Sequence, residues 1–562
     1  MENTHVDEEA VDQPEAAGGT DHAAPKKPLG YRFWIAFWAV AFTNLAAAYD
    51  STTLSVAIPA ISMDLGGSSI QAFWAGTSYL LATTILMLIW VTLSDAFGRR
   101  PIIIIALLIF AVGAIVCALA HNWTQMLAGR TVQGLGGGGI IALTTVLVTD
   151  MVPLRERPKF FACISAVWAV GSTTGPIIGG VLAQVGAWQW IFWLNLPIIA
   201  IAMAGIIPFL RLSSYPRTLA ERLALFDYPG SALFIASLTS FLIPVTWGGV
   251  QYPWSSWHTL VSLILGAAGL GVFGIYEFLS RSWAGKMPVF IPPNVFRNRS
   301  VGILYVGSVF HGLVLYSIVY YMPEYFQTVK NYSPLISGVL GLPQTATIVP
   351  CSVAVGVAVG VTGRYRWAVW AGWALTCFGL GLLILLDVRT TVTQWVFLAA
   401  VSGLGIGLLF PSVPLAIQSS VPQEDVGMAA TLVQFFRSLG QALGVAIGGA
   451  IVDNRLRVNL AKAGLSDQPA SLIRLIRVLK ELPVNAPLAV ALRNAMSKSF
   501  RTIWIVMCAF SAMNLLLSFL IAEYSMNQEH KTEQRFIHEK DEHLDSNKGS
   551  EGISSTRMSD SQ

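Results

Sequence analysis

The chain has 562 residues, of which 54% are hydrophobic and 12% are charged, and its mean hydropathy is +0.61. This composition excludes a soluble globular protein, because the few charged residues lie outside long apolar runs. The net charge of +4 is small and dispersed, unlike the basic patch of a nucleic-acid-binding protein. All five cysteines fall inside apolar runs, so neither a disulfide framework nor a metal-ligand spacing is visible.

Both ends of the chain are predicted to be disordered tails. Residues 1–30 are acidic, rich in Gly and Ala, and lack the apolar h-region of a signal peptide. Residues 525–562 are polar and charged, which is also typical of disorder.

Apolar runs of about 20 residues predict fourteen membrane-spanning helices. The predicted spans are 33–58, 73–92, 101–120, 126–148, 160–185, 190–210, 228–249, 259–279, 301–325, 335–361, 367–386, 396–417, 427–451 and 503–522. These counts fit an N-terminal six-helix bundle over 31–211, a linker with two extra helices over 212–300, and a C-terminal six-helix bundle over 301–524. The predicted fold class is an all-α membrane protein.

Basic residues in alternate loops predict the orientation of the chain. With the N-terminus inside, the inner loops hold residues such as Arg99, Arg211 and Arg364, whereas the short outer loops hold only Lys330 and Arg389. Positive charge favours the cytoplasmic side, so both termini are predicted to be cytoplasmic and the plasma membrane is the default location.

The predicted outer loop from Asp453 to Ser499 departs from this bias, because it carries many Lys and Arg residues. Between 472 and 482, apolar and basic residues alternate at helical spacing. This pattern predicts an amphipathic helix lying on the bilayer surface. The alternative is a miscounted span nearby, which would put this loop inside and the C-terminus outside.

Three ionisable side chains inside predicted spans are candidates for proton coupling, because charges at membrane depth are expensive and usually functional. Asp50 in the first span is a lone carboxylate that we expect to gain and lose a proton; the alternative is a structural salt bridge. Arg130 in the fourth span stays charged at any working pH, and Asp50 is its candidate partner. His311 in the ninth span is either a third proton-coupling group or a hydrogen-bonded interior histidine.

Aromatic and polar residues deep in the spans are candidates for lining a substrate cavity, although lipid-facing packing is the alternative for any single aromatic residue. These cavity candidates are Trp74, Gln133, Phe310, Tyr316, Gln434 and Arg437.

A run of glycines interrupts the predicted fifth span in the stretch AVGSTTGPIIGGVL. Gly171, Gly175 and Gly179 are four residues apart, so a helix places them on one face, where a neighbouring helix can approach closely. Pro176 removes a backbone donor and kinks the helix. Gly180 directly follows Gly179. The alternative is a packing seam with no part in a mechanism.

Together these stretches resemble the major facilitator superfamily, and within it the fourteen-span drug:proton antiporter group of fungal efflux pumps. The resemblance covers about residues 30–525 and rests on VTLSDAFGRRP, AGRTVQGLGGGG, GSTTGPIIGG, YDSTTLSVAIP, WQWIFWLNLP and FFRSLGQALGVAIGG. The first resembles the cytoplasmic gating motif and implies that Asp95, Gly98, Arg99 and Arg100 form the gate. Val91 and Ala96 depart from that motif, and the related VTGRYR loop of the second half lacks the aspartate.

The resemblance implies two six-helix bundles plus two extra helices, working by alternating access without a cofactor and driven by the proton gradient. It implies a role in proton coupling for Arg130, and it identifies GSTTGPIIGG as the motif of exporters. The predicted function is efflux of hydrophobic or amphipathic drugs, toxins or secondary metabolites, by a protein that we expect to be a monomer. The alternatives are a proton symporter for a nutrient or iron chelate, which the exporter motif disfavours, and a transporter-like sensor; an enzyme is not expected.

Overall fold

The computed structural model describes residues 30–153, 156–212, 218–224, 226–249, 251–284, 290–422, 425–468, 472–483 and 485–524. The predicted tails therefore lie outside the described residues, apart from Gly30. Over the described ranges the chain consists of α-helices joined mostly by short turns, together with a 3-10 turn at Pro293–Phe296. The helices are α1 Tyr31–Asp64, α2 Ser69–Phe97, α3 Arg99–Ala118, α4 Trp123–Met151, α5 Arg157–Gln184, α6 Trp190–Trp193, α7 Asn195–Phe209, α8 Leu219–Ala224, α9 Tyr228–Trp247, α10 Trp257–Ala284, α11 Arg299–Thr328, α12 Pro334–Val339, α13 Leu342–Thr362, α14 Arg366–Leu383, α15 Val392–Gln418, α16 Val426–Lys462, α17 Leu472–Glu481 and α18 Pro487–Ser518.

Twelve helical segments of the described chain are long and apolar enough to cross a membrane, with α6–α7 and α12–α13 each counted as one segment. The fourteen predicted spans include two further helices, α1 and α14, which are not among the twelve. Their sequences give the physical reason. Asn44, Asp50 and a run of three hydroxyl residues lower the hydropathy of α1, and α14 is only 18 residues long and begins with Arg366.

Local sequence signals set the ends of several helices. Ser68 forms a capping box with Gln71 at the start of α2, and the Asn122 side chain accepts a hydrogen bond from the backbone N–H of Gln125 at the start of α4. Gly98 joins α2 directly to α3 with a φ of 97°, a backbone conformation that only glycine adopts without strain.

Glycines on α4 and α16 let these two helices approach their neighbours to backbone contact. A Cβ on Gly136 would lie 2.6 Å from the carbonyl oxygen of Ala106 in α3. On α16, a Cβ on Gly440 or Gly444 would overlap the backbone of α11 at Val309 and Leu313. Close packing of this kind is how helices associate in lipid, where the hydrophobic effect does not drive them together.

The bundle has two ends, which we name from α1: the Tyr31 end, where α1 begins, and the Asp64 end, where it finishes. At the Tyr31 end, Phe33 of α1 packs edge-to-face on Phe160 near the start of α5, with ring centroids 5.6 Å apart. At the Asp64 end, the Trp188 indole donates to the Asp64 carboxylate over 2.7 Å. Helices α1 and α5 are therefore antiparallel to α2 and α4.

The segment between 453 and 499 differs from its prediction. Helix α16 runs on to Lys462, and α18 already begins at Pro487. The predicted amphipathic helix exists as α17, but Leu475, Ile476 and Leu479 on its apolar side are at most 4% exposed. That apolar side is therefore covered by the protein rather than offered to the bilayer, and α17 contacts α11.

Candidate transport site in the helical bundle

A buried ion pair lies at the centre of the first half of the chain. The Asp50 carboxylate in α1 accepts a hydrogen bond from Nη1 of Arg130 in α4 over 2.6 Å, and both side chains are 0% exposed. The other carboxylate oxygen accepts hydrogen bonds from Gln133 at 2.8 Å and from Asn195 at 3.2 Å. Arg130 and Gln133 of α4 and Asn195 of α7 therefore give this buried carboxylate three hydrogen-bond donors. The structure thus places Asp50 beside Arg130, its candidate partner, and adds Gln133, which was predicted as a cavity residue.

The guanidinium of Arg130 is fixed on its other sides by α2 and α6. Its Nε donates to the Ala75 carbonyl over 3.2 Å, and its carbon lies 4.5 Å from the centre of the Tyr79 ring and 5.8 Å from that of Phe192. Cation–π contact and a carbonyl therefore stabilise the charge where water is excluded. Nη2 has no hydrogen-bond partner among the residues that the structure describes.

Glycines of the α4 run position this pair. A Cβ on Gly134 would lie 2.5 Å from the Tyr79 carbonyl oxygen, and one on Gly137 would lie 2.7 Å from the Tyr79 hydroxyl. Only glycine allows α2 and α4 to come this close, so the glycine run places the Tyr79 ring against Arg130.

A tyrosine from the second half reaches towards the same part of α1. Tyr320 in α11 donates from its hydroxyl to the Ser51 carbonyl over 3.4 Å, one residue after Asp50. Tyr316 lies one helical turn earlier, and its ring stacks on Tyr320 with centroids 6.0 Å apart. Any movement of α11 relative to α1 therefore changes the surroundings of Asp50.

A narrow cavity of about 50 Å³ lies between the two halves, towards the Tyr31 end. Helices α1, α4 and α5 contribute polar and aromatic side chains on one side, and α15 and α16 contribute those on the other. A drug-sized molecule needs a pocket of about 300–1,000 Å³, so this cavity has to widen before such a molecule enters. Its lining residues are Asn44, Ile141, Thr144, Thr145, Phe161, Ile164, Ser165, Trp168, Phe410, Pro414, Gln434, Arg437, Ser438 and Gln441.

Two of the six cavity candidates, Gln434 and Arg437, line this cavity, and the structure places the other four elsewhere. Trp74 donates a hydrogen bond to Gln251 in the turn between α9 and α10, and Gln133 donates one to Asp50. Phe310 packs on Phe510 of α18, and Tyr316 packs on Tyr320. The reason is geometric: depth within a span does not say which face of its helix a residue occupies.

His311 lies in the second half and contacts neither Asp50 nor Arg130 through any hydrogen bond that the described residues show. The His311 ring meets the Phe410 ring edge-to-face, with centroids 4.9 Å apart. The guanidinium carbon of Arg437 lies 4.8 Å from the centre of the Phe410 ring. Neither ring nitrogen has a hydrogen bond of good geometry within the described chain. The structure therefore separates His311 from the Asp50 ion pair, and its part in proton coupling stays a prediction.

The glycines of the α5 motif face two different helices. A Cβ on Gly171 would meet the Ala48 side chain of α1 at 2.8 Å, and Cβ atoms on Gly175 and Gly179 would lie even closer to Thr52 and Thr53. Gly180 instead faces the second half, where a Cβ would lie 2.7 Å from the Pro334 carbonyl oxygen of α12. The Pro176 carbonyl, on the same side, packs against Gly338. The motif thus joins α5 to α1 within one half and to α12 across the halves.

The residues predicted to form the gate lie together at the Tyr31 end. Arg99 is 8% exposed and forms ion pairs with Asp95 and, over 3.0 Å, with Asp150 at the end of α4. Its Nη1 also donates to the Ser94 hydroxyl over 2.6 Å, and Arg100 donates to the Ile207 carbonyl of α7. Val91 and Ala96, the two departures from the family motif, are both buried. Arg99 therefore ties α2, α3 and α4 together.

We predict that Arg99→Gln lowers the free energy of unfolding by about 3–5 kcal/mol, because it removes the cation held between two carboxylates. Arg100→Gln is the matched control, since Arg100 donates to a backbone carbonyl and forms no ion pair with any residue that the structure describes. Denaturation of the two purified variants measures the difference. Equal stability of Arg99→Gln and wild type would contradict this account of the network.

One arginine connects the halves at the Tyr31 end. Arg157 donates to the Thr149 carbonyl at 2.8 Å, the Val152 carbonyl at 2.9 Å and the Gln418 side chain of α15 at 3.2 Å. Burial lowers the pKa of Arg157 to about 10, so it remains charged at neutral pH. This contact is one that breaks if the halves separate at this end.

The family model described as Major Facilitator Superfamily matches residues 40–445. The chain belongs to this superfamily. Among curated major facilitator proteins, it is 43% identical over 518 residues to "MFS transporter L2" of Phoma sp., covering 91% of this chain and 86% of that one. It is 37% identical to "MFS-type efflux pump LUC4" of Fusarium sp. (92% and 91% covered) and 36% identical to the "Acurin A biosynthesis cluster MFS-type transporter" of Aspergillus aculeatus (91% and 93% covered).

Solved major facilitator structures share the fold at low identity. A bacterial homologue of the human lysosomal transporter Spinster, inward-facing and occupied, matches with a TM-score of 0.57 and 17% identity, covering 88% of this chain and 97% of that one. The human organic anion transporter MFSD10 matches with a TM-score of 0.52 and 16% identity (85% and 100% covered). The superfamily match and the transporter relatives identify this chain as a multi-pass membrane transporter and not an enzyme, with efflux pumps among its relatives.

Some residues of the site escaped the sequence analysis. Asn195 supplies a hydrogen bond to Asp50, and Asp150 supplies the second partner of Arg99. A single polar residue in an apolar run was the available signal for Asn195, within WQWIFWLNLP. For Thr144 and Trp168 of the cavity wall, no pattern in the sequence separates them from residues that face lipid.

Proposed function

We propose that this transporter is a proton-coupled antiporter that exports hydrophobic or amphipathic small molecules, such as toxins or secondary metabolites. The observation that carries the proposal is the Asp50–Arg130 pair, a titratable carboxylate in a site where both side chains are 0% exposed. Such groups at membrane depth mark proton pathways in transporters. The efflux pumps among the relatives support the outward direction.

The coupling follows from the ion pair. When Asp50 is charged, it holds α1 to α4 through Arg130 and to α7 through Asn195. A proton on Asp50 removes the charge attraction and frees these donors, so protonation biases the two halves towards another arrangement. His311 is the further proton-coupling candidate in the second half. No cofactor is required, since the proton gradient supplies the energy.

The two arrangements correspond to closure at opposite ends of the bundle. Gly180 and Pro176 close the Asp64 end against α12, whereas the contact between Arg157 and Gln418 closes the Tyr31 end. Alternating access requires that one set of contacts breaks while the other forms. In this scheme Arg99 and Asp95 hold the Tyr31 ends of α2, α3 and α4 together during the movement, and Arg100 holds α3 to α7.

We further propose fourteen spans, with α1 and α14 crossing the membrane in addition to the twelve, and the Tyr31 end in the cytoplasm of a plasma-membrane monomer. The basic inner loops support this orientation. Glycosylation acceptor sites placed after Gly66 and after Asp387 should be modified, and one placed after Gly363 should not. Modification of the Gly363 site, or none at the other two, would contradict the proposed topology.

The test of function is export from cells. Expression in a drug-sensitive yeast should lower the accumulation of at least one compound in a toxin panel, and a proton uncoupler should abolish the effect. Higher accumulation in the expressing cells would instead support the alternative, an uptake symporter. Uncoupler-resistant export would contradict proton coupling.

A further inference from the structure

Arg437 of α16 is a buried cation on the wall of the narrow cavity between the two halves, which we call the central cavity. Its side chain is 5% exposed, and its guanidinium carbon lies 4.8 Å from the centre of the Phe410 ring. Nη1 donates to the Gln434 side chain over 3.3 Å. Nε and Nη2 have no hydrogen-bond partner among the residues that the structure describes. Two donors of a buried charge are therefore unsatisfied, which is costly and calls for an explanation such as a bound ligand.

Two other buried arginines, Arg99 and Arg130, have the counter-ions that Arg437 lacks within the described chain. Arg99 is paired with two aspartates, and Arg130 is paired with Asp50. For Arg437 the structure shows no carboxylate within ion-pair distance in the described parts of the chain. A guanidinium cannot shed its proton to escape this situation. The cavity thus holds a permanent positive charge that has no counter-ion among the described residues.

The rest of the cavity wall suits an amphipathic partner. Phe161, Trp168 and Phe410 supply aromatic surface, and Asn44 and Gln441 supply neutral hydrogen-bonding groups. None of the described residues that line this cavity is acidic. Arg437 would repel a cationic molecule there, whereas it would attract an anion as a counter-ion.

The two unsatisfied nitrogens also indicate the shape of the anion. The N–H groups of Nε and Nη2 lie side by side on one edge of a guanidinium and point in parallel. Their spacing matches the two oxygens of a carboxylate, which arginine binds through two parallel hydrogen bonds.

We propose that the central cavity binds the carboxylate of an apolar, aromatic organic acid, with Arg437 as its counter-ion through Nε and Nη2. The inference rests on the proposed function in one respect: it takes this cavity as the place where the exported molecule binds. It narrows the substrate class from hydrophobic molecules in general to acidic ones.

The test compares matched acids and amides, which differ in charge and hardly in size. The purified full-length protein in detergent is titrated at pH 7.5 with 2-naphthoate and 2-naphthamide, and with 4-biphenylcarboxylate and 4-biphenylcarboxamide. Wild type should bind at least one acid about tenfold or more tightly than its amide, the factor that a charge-assisted hydrogen bond contributes. That acid should also raise the melting temperature of wild type.

Arg437→Gln should bind acid and amide equally and lose the shift in melting temperature, while Arg437→Lys should keep part of the preference. Arg437→Gln should fold, because it removes an unpaired buried charge. Arg493→Gln is the matched control: Arg493 is 7% exposed, also has unpartnered Nε and Nη2 atoms within the described chain, and does not line the cavity. It should keep the full preference for the acid.

Equal binding of acid and amide by wild type, binding of neither acid, or an acid preference that survives in Arg437→Gln would overturn the proposal. Binding in detergent needs no pH gradient. An Arg437-dependent acid preference in a protein whose transport ignores the gradient would therefore support this inference and contradict only the proposed proton coupling.

Discussion

Asp50→Asn is expected to reduce proton-driven export to the level of cells without the transporter. The substitution keeps the size of the side chain and removes its ability to exchange a proton. It also leaves the Arg130 guanidinium, which is 0% exposed, without its carboxylate partner. Because the proposed coupling step is the making and breaking of this ion pair, the variant is held in one arrangement whatever the external pH.

Two further variants separate coupling from folding. Asp64→Asn makes the same chemical change at the end of the same helix, where Asp64 accepts a hydrogen bond from Trp188, and it should retain export. The double variant Asp50→Asn with Arg130→Gln removes both charges, so it should recover the stability lost in the single variant, about 3–5 kcal/mol, without recovering export. Undiminished export by Asp50→Asn would remove Asp50 from proton coupling.

Gly180→Val is expected to abolish transport by preventing closure of the Asp64 end. A Cβ on Gly180 would lie 2.7 Å from the Pro334 carbonyl oxygen and 2.8 Å from the Cα of Leu335, both of which are backbone atoms that cannot rotate away. Overpacking of this kind costs about 1–3 kcal/mol. A cost of that size lowers the population of the closed state about 5- to 150-fold.

The measurement uses Ser337→Cys as a reporter, since Ser337 in α12 is 0% exposed in this closed conformation. A membrane-impermeant maleimide should label the reporter several-fold faster in the Gly180→Val background than in wild type. Gly302→Val is the matched control, because a Cβ on Gly302 in α11 would meet nothing within 4 Å. If Gly180→Val labels and transports like the control, the α5–α12 contact is not a gate.

The sequence predicts the helices well and their ends poorly. The span 427–451 belongs to a helix that runs from Val426 to Lys462, and the span 33–58 belongs to Tyr31–Asp64. Apolar runs report the part of a helix that lies in lipid, whereas its polar extensions are stabilised by contacts within the protein. Helix α1, predicted as the span 33–58, is not among the twelve most apolar helices, because buried polar residues such as Asn44 and Asp50 lower its hydropathy.

The charged residues of the candidate site could be predicted from the sequence, but the residues that line its cavity could not. Asp50 and Arg130 were recognisable because each is a costly group in an apolar run, and their contact follows from that cost. Trp74 and Phe310 look the same in the sequence as Phe161 and Trp168, yet only the latter two line the cavity. Which face of a helix turns inward is decided by packing between helices, and a single sequence does not contain that information in readable form.

The most direct test of proton-coupled antiport is reconstitution of wild type and Asp50→Asn into liposomes that contain a pH-sensitive dye. The substrate is the compound that the yeast export assay identifies. In wild-type liposomes, we predict that this compound moves towards the acidic compartment while protons move the other way, and that Asp50→Asn shows neither flux. Substrate movement that is equally fast with and without a pH gradient would contradict the account.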